Sequence, residues 1–172
     1  MNGVSFEKAK VSDALRIAIL LKTVYIQTYG VEGISFEFAN FITKKFDPEV
    51  IAQTIKESPN QFVVAAMNGN PVGVAETIFN GLCPIRNKPV AELSKLYVLE
   101  RFYGQGIGYK LLKEAESIVR NQGGKDLNLE VYIKNPRAIA FYERQGYKVI
   151  GRVDFPMETN TYENLVLHKV LG

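Results

Sequence analysis

The sequence predicts an α/β (α+β) fold, with strands and helices alternating in the middle of the chain and antiparallel strands at its ends. Three observations predict it. The turn Asn68-Gly69-Asn70 joins two apolar runs, a strand-like segment over 90–99 enters a glycine loop and then a helix, and a second strand at 127–133 enters a proline-started helix. With 172 residues the chain has the length of one ordinary domain. No repeat, low-complexity run or composition shift marks a boundary, so residues 1–172 are expected to form a single domain.

In chain order, Val4 to Lys8 alternates as a short first strand, and Ser12 or Asp13 offers a cap for an amphipathic helix whose apolar stripe is expected at Leu15, Ala18, Ile19 and Ile26. Ser35 to Lys45 carries Phe38, Phe41 and Ile42 at helical spacing, and Asp47-Pro48 starts another short helix through Ile51 and Ile55. Residues 62–66 and 72–78 form the hairpin, because Asn-Gly supplies the positive φ angles a tight turn needs. A loop containing Cys83, Pro84 and Pro89 is expected before the strand at 90–99. After Gly104-Gln105-Gly106-Ile107-Gly108, the spacing of Ile107, Leu111, Leu112, Ala115, Ile118 and Val119 marks one face of a helix that stops at Gly123-Gly124. Asn135-Pro136 caps and starts a helix ended by Gly146, and strands at 148–153 and 165–170 close the chain.

Composition narrows the function classes. Hydrophobic residues make up 47% and charged ones 23%, which fits a folded soluble domain. Lys and Arg number 21 against 18 Asp and Glu, and they are dispersed, so no basic stripe points to nucleic acid. One cysteine, Cys83, and one histidine, His168, leave neither a disulfide nor a Cys/His metal set, so no metal is expected and neither residue is assigned chemistry. The first residues carry no basic and apolar signal pattern and no stretch is long enough to cross a bilayer, so the expected location is cytoplasmic and away from membranes.

The glycine loop opening a helix is a phosphate-binding device: Gly104, Gly106 and Gly108 let backbone N–H groups turn toward an anion at the positive helix end. The same glycines would also serve a plain strand-to-helix turn. No Lys-Ser or Lys-Thr follows the last glycine, and the spacing is not that of a dinucleotide fingerprint. A different phosphate-bearing ligand fits better.

Leu96-Tyr97-Val98, Tyr103 to Gly108 and Leu111-Leu112, followed by Asn135-Pro136-Arg137-Ala138-Ile139-Ala140-Phe141-Tyr142-Glu143-Arg144-Gln145-Gly146-Tyr147, resemble two linked motifs of the GCN5-related N-acetyltransferase (GNAT) superfamily. The resemblance implies a central mixed, mostly antiparallel sheet of about seven strands flanked by helices, with strands four and five parallel and splayed. It implies acetyl-CoA as cosubstrate, bound at Leu96, Tyr97, Val98, Tyr103, Gly104, Gln105, Gly106, Ile107, Gly108, Tyr109, Asn135, Tyr142 and Arg144. The pyrophosphate would sit on the loop N–H groups, and the pantetheine arm would pair with strand backbone at Leu96 and Val98. Asn135 serves equally as a helix cap, and Arg144 as an exposed cation. Tyr103 departs from the Arg or Gln usual in the family, which touches only side-chain contact with the phosphate.

By the same resemblance the reaction is direct acetyl transfer from the thioester to an amine. An amine with a pKa near 10.4 costs about 5 kcal/mol to deprotonate at pH 7, so a base is expected. Glu92 matches the family's general base and Tyr142 its proton donor to the leaving thiolate; the alternatives are a surface glutamate and a core aromatic. The acceptor side would include Tyr25, Tyr29 and Glu32, with Glu37, Asp154 and Glu158 as further acidic candidates. Carboxylates and aromatic faces suit a cationic amine, although scattered acids also serve simply as solvated surface. The segment Tyr25 to Tyr29 and the closing strands resemble PaiA-type spermidine/spermine acetyltransferases more loosely, which implies a polyamine or similar small amine. A peptide N-terminus, a protein lysine, or a non-catalytic acyl-CoA-binding module are the other readings. Dimers are common in the family, so a homodimer is compatible with the resemblance.

Overall fold

The computed structural model describes residues 3–157 and 160–172. In order, the elements are β1 (Val4–Lys8), α1 (Ala14–Tyr29), α2 (Phe36–Lys45), α3 (Pro48–Glu57), β2 (Phe62–Met67), β3 (Asn70–Cys83), β4 (Lys88–Val98), α4 (Ile107–Asn121), β5 (Asp126–Tyr132), α5 (Pro136–Arg144), β6 (Lys148–Pro156) and β7 (Thr161–Val170). The strands form one seven-stranded sheet in the order β1-β2-β3-β4-β5-β7-β6. The pairs β1/β2, β2/β3, β5/β7 and β6/β7 are antiparallel, and β4/β5 is parallel. β3 and β4 run in opposite directions, since Gly73 lies against Tyr97 and Val98 while Gly81 lies against Val90 and Glu92. This is the mixed, mostly antiparallel sheet the sequence leads one to expect. Among the described residues, no helix is long and apolar enough to cross a membrane.

The chain groups into two compact units, one of residues 1–77 and 95–115 and the other of 78–94 and 116–172. In the first, α1, α2 and α3 bury Ile17, Leu21, Tyr25, Phe38, Ile42, Phe46, Ile51 and Ile55 against Phe62 and Val64 of β2 and Val74 of β3. The neighbouring position, Gly73, faces the other way. A Cβ there would lie 3.0 Å from Leu111 of α4 and 3.2 Å from Val98, so only glycine lets the helix approach the strand this closely. Helix starts follow their caps: Ser35 accepts from the Phe38 N–H and Asp47 from the Glu49 N–H, with Pro48 at the first helical position.

In the second unit, β5 pairs along its whole length with β7, from Asp126↔Val170 to Tyr132↔Asn164. Its ladder with β4 holds only at Ala91↔Leu127 and Glu92↔Asn128 and does not continue to Leu93 and Ser94. The two faces are distinct. Lys169, opposite Leu127, reaches Glu116 of α4, so Leu127 and Leu129 look toward that helix, while Glu92, Asn128 and His168 alternate to the other face.

Four local expectations are corrected. Helix α1 buries Ala14, Ile17, Ala18, Leu20, Leu21, Val24 and Tyr25, while Leu15 and Ile19 are 61% and 56% exposed. The helix is apolar on most of its circumference, so two stripes compete, and the one continuous with β2 and β3 wins. Asp13 puts its carboxylate on the Lys10 N–H and on Arg16 rather than on the first turn of α1. Cys83 ends β3 instead of lying in a loop: the connection tightens to a turn closed by the Asn87 N–H on the Cys83 carbonyl at 2.8 Å, with Asn87 at φ 50°. Asparagine tolerates that left-handed conformation. Strands β6 and β7 also extend three and four residues further toward their connection than the segments 148–153 and 165–170.

Candidate active site

The strand-to-helix connection after β4 passes through a short 3-10 turn, Glu100–Phe102, closed by the Tyr103 N–H on the Glu100 carbonyl. Gly104 and Gly106 then take φ angles of 73° and 74°, and the Gly106 carbonyl accepts the Lys110 N–H, opening α4. Two left-handed residues alternating with Gln105 turn successive N–H groups to one side, where the first N–H groups of the helix also lack intrahelical acceptors. A Cβ at Gly104 would meet nothing within 4 Å, so the loop's backbone is open. Such a cradle fits a pyrophosphate. Gly108 differs from the expectation: it does not have positive φ and is the second residue of α4. Ile107 is buried, and Gln105 and Tyr109 are exposed.

Upstream, Val98 is buried and Leu96 and Tyr97 are half-buried, with Tyr97 packed against the core of α1, α2 and α3. Lys95 carries an ion pair with Glu76 of β3, whose other oxygen accepts from Gln61 at 2.9 Å; the Lys95 ammonium lies 6.0 Å from the Phe46 ring centre. Glu92 is half-buried at the last rung of the β4/β5 ladder. Gly81 of β3 flanks it, and a Cβ at Gly81 would stand 3.3 Å from Glu92 Cβ and 3.6 Å from its Oε2. The tight approach at Gly81 is to the Val90 carbonyl, 3.0 Å from the added Cβ, and to Glu92 Cβ, while the carboxylate oxygen would be at ordinary contact distance.

Helix α5 places the second motif. Asn135 accepts the Ala138 N–H through Oδ1 at 3.1 Å, so it is the helix cap; this uses its oxygen and leaves the amide nitrogen outside the cap. Tyr142 is buried, with edge-on contacts to Phe141 at 5.2 Å and Tyr147 at 5.7 Å between ring centres. Arg144 is exposed. Tyr147 donates its hydroxyl to Glu116 Oε1 at 3.3 Å, and Glu116, wholly buried, pairs with Lys169 at 2.7 Å and Arg120 at 3.6 Å. Burial first, then the Glu116 charge and hydrogen bond, hold the Tyr147 hydroxyl above its ordinary range.

Of the expected acceptor-side residues, Tyr25 and Tyr29 meet with ring centres 4.4 Å apart, and Tyr25 is the hub of an aromatic cluster with Phe38, Phe41 and Phe46. Tyr25 is buried, Tyr29 half-buried, Glu32 exposed in the α1–α2 connection, Glu37 in the first turn of α2 and Asp154 exposed on β6. Glu158 lies outside the described residues. Two polar features are not evident from the sequence. His168 on β7 is buried between Arg86 at 3.0 Å and Asp126 at 3.3 Å. Asn128 on β5 is buried with no protein partner for either amide atom. The alternation Leu127-Asn128-Leu129-Glu130-Val131 reads as a half-solvated strand, and gives no sign that Asn128 is covered.

Comparison with known proteins agrees with this arrangement. The family model for the acetyltransferase (GNAT) family matches residues 30–147. An uncharacterised N-acetyltransferase of Methanocaldococcus jannaschii is 33% identical over 124 residues, covering 72% of this chain and 55% of that protein. A spermidine N(1)-acetyltransferase of Thermoplasma acidophilum is 31% identical over 143 residues, 80% of this chain and 82% of that protein. Among solved structures, the PaiA N-acetyltransferase from Thermoplasma acidophilum in complex with coenzyme A has the same fold, with a TM-score of 0.77 over 98% of this chain and 99% of that one at 24% identity. A cradle suited to a pyrophosphate, a parallel β4/β5 pair that parts after Glu92, and a family model spanning both motifs lead to one conclusion: the chain belongs to the GNAT acetyltransferase family and is an acetyl-CoA-dependent N-acetyltransferase.

Proposed function

We propose that the chain acetylates the primary amine of a polyamine or a similar small amine. The observation that supports this reading is the 31% identity, over four-fifths of both chains, to a protein named as a spermidine acetyltransferase. Residues Gly104 to Gly108 and the start of α4 would hold the cosubstrate's pyrophosphate through backbone N–H groups, and the β4 backbone at Leu96 and Val98 would pair with its amide-bearing arm. Acetyl-CoA supplies an acetyl thioester. Glu92 would take the proton of the incoming ammonium, assisting a deprotonation that costs about 5 kcal/mol at neutral pH. The Tyr142 hydroxyl would return a proton to the departing sulfur. Asn135 would contribute its amide nitrogen to the cosubstrate, since its oxygen is committed to the helix. Tyr25, Tyr29 and Glu32, the one acidic residue of the α1–α2 connection, would offer a cationic substrate ring faces and counter-charge.

A free-thiol release assay with acetyl-CoA against spermidine, spermine, lysine-bearing peptides, free peptide N-termini and aminoglycosides tests the acceptor class. Release that depends on the polyamines is expected. Release confined to peptide substrates would replace the polyamine reading, and coenzyme A binding without release from any amine would replace it with a binding module.

A further inference from the structure

Asn128 is the one side chain among the described residues with buried amide atoms and no protein partner, at 3% exposure. Leaving a buried donor and acceptor without partners is costly, and an apolar residue would avoid that cost. Its place in the sheet narrows what the amide is for. On β7 it stands opposite His168, whose Nε2 lies 3.0 Å from Arg86 and 3.3 Å from Asp126 and which makes no hydrogen bond to the Asn128 amide. On β4 it stands opposite Glu92, at the last rung before the two strands part, and parallel neighbours in register present their side chains to the same face. The other charged groups on this face include Arg86 and Asp126, both in contact with His168; Glu130, which accepts from Asn164 at 3.3 Å; and the exposed Lys148 of β6, which stands opposite His168. On the β3 side, Gly81 lies against Glu92.

We propose that Asn128 is a positioning residue for Glu92: its amide and the Glu92 carboxylate together hold one water molecule, through which Glu92 deprotonates the acceptor ammonium. One proton passes from the ammonium to the water and one from the water to the carboxylate. The products are a neutral amine, a neutral Glu92 and a regenerated water, with no other bond altered. The amide is suited to this because it offers the water both a donor and an acceptor and does not titrate, so Glu92 remains the group that gains the proton. The proposal rests on the reading of Glu92 as general base.

The test is the pH profile of kcat/KM, by thiol release with the best amine of the panel, for wild type, Glu92→Gln, Asn128→Leu, Asn128→Ser and the double variant Glu92→Gln/Asn128→Leu. Asn128→Leu is expected to lower kcat/KM for the amine about 10- to 100-fold. The KM for acetyl-CoA should stay within about two-fold, Tm should be undiminished, and the acidic limb should move to higher pH because the carboxylate has lost its supported partner. Asn128→Ser, which can still hold a water, should recover part of the loss. The double variant should be no slower than Glu92→Gln, since both residues act in one step. An Asn128→Leu enzyme within about two-fold of wild type beside an impaired Glu92→Gln, or losses that multiply in the double variant, would overturn the proposal alone. A Glu92→Gln enzyme of wild-type rate would overturn the general-base reading and the proposal with it. If Asn128→Leu does not fold, Asn128→Ala takes its place, and a folded Asn128→Ala enzyme with the wild-type rate and pH profile is the overturning result.

Discussion

Among the described residues, the buried side-chain polar atoms without a hydrogen-bond partner belong to Asn128, and Glu116 stands at the opposite extreme. Wholly buried, Glu116 is surrounded by Lys169, Arg120 and the Tyr147 hydroxyl. Removing one partner would leave charge or hydrogen-bonding capacity unmet, so the cluster behaves as a unit. Its pH dependence has a definite sign. The native state holds the Tyr147 proton above the ordinary value of 10.0, so above that pH the unfolded chain binds fewer protons than the native one. This contribution is therefore fully present below pH 10 and is lost progressively as pH rises beyond it, at a slope approaching about 1.4 kcal/mol per pH unit. Denaturant melts between pH 8 and 11.5 should show wild type losing stability above pH 10 more steeply than Tyr147→Phe. Parallel profiles for the two proteins would show that Tyr147 does not carry the effect.

Among the elements, the loop from Tyr103 to Gly106 is the one on whose backbone conformation the proposed pyrophosphate site depends most directly. A side chain at a left-handed position costs about 1–2 kcal/mol. Gly106→Ala should therefore raise the KM for acetyl-CoA by roughly 5- to 30-fold, with kcat for the amine much less affected. Steady-state kinetics with varied acetyl-CoA decides it, and an unchanged KM would remove the loop from cosubstrate binding. The loop and α4 are legible in the sequence because glycine spacing and helical periodicity act locally: Ile107, Leu111, Leu112, Ala115 and Val119 are all buried as their spacing requires. Helix α1 is not legible at this level. Leu15 and Ile19 fit a helical stripe as well as Ile17, Leu21 and Val24 do, and only contact with β2 and β3 selects between them. Strand ends are misjudged for a related reason, since pairing partners rather than composition carry β3 on to Cys83.

At the scale of the whole molecule, the mixed sheet of about seven strands, its parallel pair β4/β5 and the family follow from resemblance carried by two motifs that lie some thirty residues apart, whereas the order of the strands is seen only in the fold. The candidate site is legible to the same extent. Glycine-loop, cap and tyrosine positions follow from motif and spacing, whereas Asn128 and the Arg86–His168–Asp126 set depend on which strands become neighbours and which turn folds over them. The choice of acceptor is the least local property of all, because it depends on side chains from α1, α2 and the closing strands that no single motif ties together.

The proposed role of Tyr142 as proton donor in acetyl transfer is tested most directly by thiol release in wild type and Tyr142→Phe. Phenylalanine keeps the ring contacts with Phe141 and Tyr147, so the variant should fold and bind coenzyme A as wild type does. Turnover should fall roughly 10- to 1000-fold, the span that runs up to general acid catalysis by a positioned group. A folded Tyr142→Phe protein that turns over within about two-fold of wild type would contradict it.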